Sequence, residues 1–136
     1  MTYLLDTNAC IAVIKGTPPR VRTRFERATA TAEPTAVSAV TAFELWYGAA
    51  KSARRDENVR RVEAFLAGPV ELWPFEGDDA QAAGKVRAAL EASGTPVGPY
   101  DVLIAGQAIN RGAIVVTATT AEFGRVSGLK HENWAR

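Results

Sequence analysis

Cysteine and histidine are almost absent from this chain. Cys10 is the only cysteine and His131 the only histidine among 136 residues. One cysteine cannot form an internal disulfide, and these two residues cannot supply the ligands of a Cys/His zinc site. The lack of disulfides is typical of proteins in a reducing compartment, so we expect a cytoplasmic protein.

Long apolar runs and a strong net charge are also missing. No uninterrupted apolar segment approaches the ~18 residues of a membrane span, and the N-terminus does not resemble an export signal. Sixteen basic and 15 acidic residues leave a formal charge of +1. The chain therefore has no overall basic field that would bind nucleic acid by charge alone, and any such contact must be local.

Hydrophobic residues make up 47% of the chain, enough for the core of a single domain over residues 1–136. Apolar runs that predict strands alternate with helical periodicities, which favours an α/β sandwich around a mostly parallel sheet. The strands are predicted at Tyr3–Leu5, Thr35–Ser38, Val70–Phe75 and Ile114–Thr117. The helices are predicted at Asn8–Lys15, Arg20–Thr29, Val40–Gly48, Asp56–Leu66, Asp78–Ala92 and Pro99–Gly112, and the last segment, with Trp134, reads as short and polar.

Two acidic residues occupy positions where apolar neighbours predict burial. Asp6 directly follows the first predicted strand, although an Asp in this place also commonly caps a helix or forms a turn. Glu44 lies four residues after Val40 and three before Tyr47, and so shares their apolar helical face. A buried carboxylate needs a cation, which can be a metal ion or the arginine of a salt bridge.

Asp101 is the third such carboxylate. Ile104, Ala105 and Ala108 follow it by three, four and seven residues, which places all four on one face of a helix. An acidic residue in a first helical turn also complements the helix dipole, so Asp101 alone does not indicate a site.

The three carboxylates together predict a site for a hard divalent cation. No set of His or Cys residues competes for this role, and oxygen ligands suit Mg²⁺ or Mn²⁺. Such an ion promotes phosphodiester hydrolysis by polarising the phosphate and lowering the pKa of a bound water. In this arrangement Asn8 orients Asp6, and Thr7 lies near the waters of the ion.

Three segments that contain these acids, LLDTN, SAVTAFELWYG and VGPYDVLIA, together resemble the PIN-domain family. More narrowly they resemble its VapC-type toxins, the ribonucleases of VapBC toxin–antitoxin pairs, over about Tyr3 to Trp134. The resemblance implies a Rossmann-like α/β/α fold and Mg²⁺-dependent endoribonuclease activity, with catalytic metal ligands at Asp6, Glu44 and Asp101. It also implies a cognate VapB-type antitoxin and a homodimer, which can join a higher toxin–antitoxin assembly.

One position departs from the family pattern. The family commonly has an acidic or amide residue after the strand that matches Ile114–Thr117, where this chain has Ala118 and Thr119. Thr119 can hydrogen-bond a metal-bound water, and Glu122 can supply charge one turn further on. We therefore expect one well-defined metal ion, and a second only when RNA phosphates are bound.

Basic residues follow two of the predicted helices. Flanking an acidic pocket, they can contact an RNA backbone, while a solvated surface explains them equally well. They are Lys15, Arg20, Arg22 and Arg24 near the first helix, and Lys51, Arg54 and Arg55 after the helix of Glu44.

Two other functions compete with the ribonuclease interpretation. A phosphatase of the haloacid-dehalogenase type also begins with a strand and an Asp, but it needs a second Asp where Asn8 stands. A PIN-like module that binds RNA or protein without cutting would explain the departure at Ala118 and Thr119.

Overall fold

The computed structural model describes residues 1–136 and contains five strands and seven helices. The strands are β1 (Tyr3–Leu5), β2 (Thr35–Ser38), β3 (Glu71–Trp73), β4 (Ile114–Val116) and β5 (Lys130–Glu132). The helices are α1 (Thr7–Lys15), α2 (Pro19–Ala30), α3 (Ala39–Lys51), α4 (Arg55–Leu66), α5 (Gly77–Ala92), α6 (Pro99–Arg111) and α7 (Thr120–Phe123). None of these helices has the length and apolar character required to cross a membrane.

The strands form one sheet in the order β3-β2-β1-β4-β5, and every neighbouring pair is parallel. This arrangement confirms the predicted α/β/α sandwich. The chain leaves β1 toward β2 on one side, whereas β4 pairs with β1 on the other side, in register from Tyr3↔Ile114 to Leu5↔Val116. The strand order thus reverses at the carboxyl ends of β1 and β4, where open α/β sheets bind their ligands.

The fifth strand was not predicted from the sequence. β5 consists of the polar residues Lys-His-Glu, and it lies at the edge of the sheet, where an apolar alternation is not required. The amide of Thr117 donates a hydrogen bond to the carbonyl of Glu132 at 2.9 Å and extends the pairing with β4. After β5 the chain turns back, and Trp134 packs edge-on against Tyr3 with ring centroids 5.2 Å apart.

The ends of other elements also differ from the prediction, several of the helices by only one residue. β3 is shorter than the predicted Val70–Phe75 strand, and β4 ends at Val116. α3 continues past Gly48 to Lys51 rather than ending at the glycine. A glycine inside a helix costs only about 1 kcal/mol relative to alanine, which the packing of the helix outweighs.

Each face of the sheet has its own apolar core. Tyr3 and Leu5 point to the face covered by α1 to α4, and Leu4 points to the face covered by α5 and α6. α5 and α6 approach very closely, because a Cβ at Gly106 would lie 2.4 Å from the Cα of Ala83. The close contact fixes the position of α6, which carries Asp101 in its first turn.

A buried carboxylate ties α5 to α6. Asp79 is fully buried and accepts hydrogen bonds from Arg111 at 2.9 Å, from Asn110 at 2.9 Å and from Gln107 at 3.2 Å. It also accepts the amide of Glu76 at 2.9 Å, at the start of α5. Burial alone would raise the pKa of Asp79, but Arg111 and the other donors lower it to about 2. Asp79 therefore both caps the start of α5 and joins α5 to α6.

Candidate active site

Asp6 lies at the carboxyl end of β1 and is only 2% exposed. Its Oδ1 accepts the amide of Ala9 at 2.8 Å, so Asp6 caps α1. Burial raises the pKa of Asp6, hydrogen bonds from the Thr117 hydroxyl and the Ala9 amide lower it, and the charge of Glu44 raises it further. The helix-cap interpretation is therefore correct, but it does not exclude a second role, because Glu44 lies close enough to repel the charge of Asp6.

Glu44 reaches the same place from the middle of α3. The hydroxyl of Thr7 donates a hydrogen bond to its Oε1 at 2.6 Å, which links α3 to the start of α1. Ser38, the last residue of β2, is the N-cap of α3, and its hydroxyl accepts the amide of Val40 at 3.1 Å. Glu44 is half-buried and forms no salt bridge, so the arginine partner considered as an alternative is not present.

Asp101 shows most clearly that the acids are close together. Its pKa is raised to about 6 by burial, by the charge of Asp6, by a hydrogen bond with Glu122, and by the charges of Glu122 and Glu44. Helix α6 begins at Pro99, so Asp101 lies in its first turn. The fold therefore brings four acidic residues from separate segments of the chain to one edge of the sheet.

These carboxylates have no basic partner. None of the four belongs to any of the salt bridges in the structure. In the structure, no three of these side chains are grouped closely enough to hold one metal ion. The pKa values of Asp6 and Asp101 are raised, and the acids have no counter-ion. Such a set of oxygen donors fits a hard divalent cation, which would remove the repulsion between the carboxylates.

The position after β4 is occupied by a pair of hydroxyls. Thr117 and Thr119 hydrogen-bond to each other at 2.8 Å, and Thr117 lies next to Asp6. Glu122, in α7, contacts Asp101 directly and supplies the fourth acidic charge. Asn8 is exposed and its side chain forms no hydrogen bond, so Ala9 and Thr117 orient Asp6 instead.

The predicted RNA-contacting residues are not gathered around the acids. Lys15 shares a groove with Glu44, and the Lys51 Nζ lies 4.8 Å from the centre of the Tyr47 ring. Arg54 and Arg55 lie beyond the end of α3, within 3.6 Å and 3.8 Å of acidic partners, Glu57 and Asp56 respectively.

Comparison with known proteins places this arrangement in a family. The model of the PIN domain matches residues 3–129. The chain belongs to the PIN-domain family. It is 41% identical to the tRNA(fMet)-specific endonuclease VapC of Salmonella typhimurium and 36% identical to the ribonuclease VapC2 of Haemophilus influenzae, over 98% of each chain in both cases.

Solved structures of PIN-domain proteins agree with this assignment. The crystal structure of DNA-bound VapBC from Salmonella typhimurium contains a chain with a TM-score of 0.90 and 41% identity, with 98% of both chains covered. The structure of VapBC2 from Rickettsia felis, bound to a fragment of promoter DNA, contains a chain with a TM-score of 0.91 and 34% identity, with 98% of this chain and 99% of that chain covered. PIN-domain nucleases of the VapC type generally depend on a divalent metal ion.

The acid cluster makes the stability of the metal-free PIN domain depend on pH. The pKa of Asp101 is about 6 in the folded chain and ~3.9 in an unfolded one, so protonation favours the fold. This contribution is complete below pH ~4 and is lost as the pH rises through 6. We expect the free energy of unfolding in EDTA to fall by roughly 1–2 kcal/mol between pH 4.5 and 7.5, a value reduced for the partial exposure of Asp101.

Urea unfolding at several pH values measures this slope, and Asp101→Asn is the matched variant. The variant cannot titrate at this position, so its stability should change less with pH over the same range. An equal pH dependence in the wild type and the variant would show that the carboxylates do not repel each other as described.

Proposed function

We propose that the chain is the toxin of a type II toxin–antitoxin system, a Mg²⁺-dependent endoribonuclease that acts as a single PIN domain over residues 1–136. The observation that carries this proposal is the cluster of Asp6, Glu44, Asp101 and Glu122, which has no counter-ion and lies where the strand order reverses. VapC ribonucleases that match nearly the whole chain support it. We also propose that the protein acts in the cytoplasm.

The residues of the site have different roles. Asp6, Glu44 and Asp101 would hold the ion, Mg²⁺ or Mn²⁺, which would polarise the scissile phosphate and lower the pKa of a water. Ala9 and Thr117 fix the carboxylate of Asp6, and Thr7 fixes that of Glu44. The pKa of Asp101 is raised to about 6, so this acid can release or take up a proton near neutral pH.

Ala118 and Thr119 stand where the family usually has an acidic or amide residue. Because neither adds a carboxylate, we expect the site to hold one well-defined ion, and a second only when the phosphates of the RNA are bound. A PIN domain that binds RNA without cutting is the second candidate, favoured by the neutral hydroxyls of Thr117 and Thr119.

The partner that neutralises the toxin is a VapB-type antitoxin, as in the VapBC complexes that this chain is similar to. A groove of about 280 Å³ lies between α1, α3 and α4, with Ile11, Ile14 and Leu45 in its walls and Glu44 at its edge. An extended antitoxin segment fits this apolar groove. A basic residue of that segment would be attracted to the acids, which have no other cation.

A second copy of the chain covers an aromatic surface beside the site. Phe43, Trp46, Tyr47 and Tyr100 are all exposed, with Phe43 at 52% and Tyr47 at 57%. The Phe43 ring lies 6.3 Å from that of Tyr47 and 5.9 Å from that of Tyr100, so they form one continuous patch. Because Phe43 and Tyr100 precede Glu44 and Asp101 in the chain, a homodimer through this patch brings two acid clusters to one groove.

Brief expression without the antitoxin, followed by sequencing of RNA ends, tests the proposed function. We expect growth arrest and new ends at a few defined positions, and the name of the Salmonella relative makes initiator transfer RNA the first substrate to examine. Purified protein should cut the same RNA with Mg²⁺ or Mn²⁺ and leave it intact in EDTA. RNA binding without cleavage under any divalent ion would favour the binding module instead.

A further inference from the structure

Arginines on α2 and at the end of the chain form a positive patch on the surface of the protein. Arg20, Arg24, Arg27 and Arg136 line a cavity of about 410 Å³ between α2 and the segment after β5. We call these four residues the α2 arginine pocket. Glu132 is the only acidic residue in its lining, and its Oε1 already accepts a hydrogen bond from the Trp134 indole at 3.1 Å.

The spacing of the arginines along α2 lowers the stability of that helix. Arg20, Arg24 and Arg27 follow each other by four and three residues and therefore lie on one face of α2. Arg20, Arg27 and Arg136 are exposed, and none of them forms a salt bridge. Like charges at this spacing destabilise a helix, so the fold gains nothing from them.

Several arginines elsewhere on the surface have an acidic partner. Arg61 lies 2.8 Å from Glu57, and Arg87 lies 3.1 Å from Glu91, each one helical turn away. In the same helix as the pocket, Arg22 donates to the carbonyls of Val13 and Ile14 and closes the end of α1. Arg20 and Arg27 have no such partner within the chain, although they lie on the same helix as Arg22.

Arg24 gives the pocket a fixed cation at its base. Its guanidinium lies 5.2 Å from the Tyr3 ring centre and 4.9 Å from that of Trp134, and it donates to the Tyr3 hydroxyl at 3.1 Å. Glu33, at 3.6 Å, compensates its charge only partly, and the Nη1 atom has no hydrogen-bond partner. Stacking holds this charge in place without neutralising it.

The pocket lies one strand away from the acid cluster. Thr117 connects the two, because its hydroxyl contacts Asp6 and its amide donates to the carbonyl of Glu132 at 2.9 Å. Along α2 the pocket arginines span seven residues, or about 10 Å, which matches the rise of about three nucleotides in a stacked strand. A nucleic-acid strand that crosses the acids can therefore continue over α2.

We propose that the α2 arginine pocket binds the phosphate backbone of a structured RNA substrate, outside the nucleotides that are cut. This inference rests on the proposed ribonuclease function. Arginine guanidinium groups bind phosphates through paired hydrogen bonds, and such contacts position an RNA without reading its sequence. The pocket exposes no large apolar side chain, since Trp134 is buried, which favours a polyanion over a folded protein partner.

The test compares the double variant Arg20→Gln/Arg27→Gln with the control Lys85→Gln/Arg87→Gln, which removes the same charge from α5 on the opposite face. Both replaced pairs are exposed, so both variants should fold. Fluorescence anisotropy in EDTA measures binding of a labelled full-length transfer RNA transcript and of a hexanucleotide. We expect the Kd of the pocket variant for the transfer RNA to rise about tenfold, with the slope of log Kd against log salt lowered by about 1 to 2.

The hexanucleotide should bind the wild type and the pocket variant equally, because it is too short to reach beyond the acids. The proposal would be overturned if the two double variants bound transfer RNA equally. It would also be overturned if the pocket variant kept its RNA binding and lost only the binding of an acidic antitoxin peptide. Binding in EDTA does not require cleavage. If the pocket variant loses RNA binding and the wild type does not cleave RNA, only the ribonuclease function is refuted. If the pocket variant binds RNA normally and the wild type cleaves it, only the pocket proposal is refuted.

Discussion

RNA cleavage should fall about a thousandfold when Asp6 is replaced by Asn, equivalent to ~4 kcal/mol of lost barrier stabilisation. Asp6 is the most deeply buried of the four acids, and its carboxylate is fixed by Ala9 and Thr117. An amide of the same shape keeps the cap of α1 but has no negative charge to attract a divalent ion. The effect should therefore appear in activity and not in folding.

Asp56→Asn is the matched control. It makes the same chemical change at an exposed position, where the nearest cation is Arg55 at 3.8 Å. We expect cleavage by this variant to equal that of the wild type, measured as kcat/KM on a labelled RNA with Mg²⁺ in excess. Undiminished cleavage by Asp6→Asn, with an unfolding curve like that of the wild type, would remove Asp6 from the site.

Replacement of Asp79 by Ala should destabilise the fold by about 3–5 kcal/mol, the usual cost of removing one partner of a buried charge pair. The variant leaves the guanidinium of Arg111 and the amides of Asn110 and Gln107 without the acceptor that they share. It also removes the acceptor for the Glu76 amide at the start of α5. Urea unfolding of the metal-free protein measures the change.

Asp78→Ala separates this network from a general effect of charge on α5. Asp78 precedes Asp79 directly but is exposed, so its loss should change the free energy of unfolding by less than ~0.5 kcal/mol. Equal unfolding midpoints for the two alanine variants would mean that the buried network does not hold α5 against α6.

The sequence predicted most of the fold because its signals were local. Tyr3–Leu5 and Thr35–Ser38 have the bounds that the structure gives to β1 and β2, since each is a fully buried strand that reads as an apolar or small-residue run. β5 was not predicted because Lys130–Glu132 is polar and forms an edge strand, which pairs with β4 alone. Its pairing with β4 depends on tertiary structure that no local pattern expresses.

The site was predictable as a set of residues but not as an arrangement. Helical spacing put Glu44 and Asp101 on apolar faces, and the structure brings both close to Asp6. The contact between Glu122 and Asp101 was not predictable, since it depends on how α7 packs after β4. Asn8 looked suitable to orient Asp6 from its place in DTN, but its side chain is exposed, and Thr117 has that position instead.

The α2 arginines show the same limit. Arg20, Arg22 and Arg24 form one basic run in the sequence, and spacing alone cannot say which of them is free. In the structure Arg22 caps α1 and Arg24 is stacked between two rings, while Arg20 lies exposed without a salt bridge. The pocket exists only because the end of the chain, with Arg136, folds back beside α2.

Calorimetric titration of the metal-free protein with Mn²⁺ tests the central claim most directly, because it measures the ion site without requiring the right RNA. We expect the wild type to bind one ion per chain more tightly at pH 7.5 than at pH 5, since protonation of Asp101 competes with the ion. Asp101→Asn and Asp6→Asn should each weaken binding at least about tenfold, and Asp56→Asn should leave it unchanged. Equal binding by all four proteins, or full RNA cleavage in EDTA, would contradict the account of a carboxylate metal site.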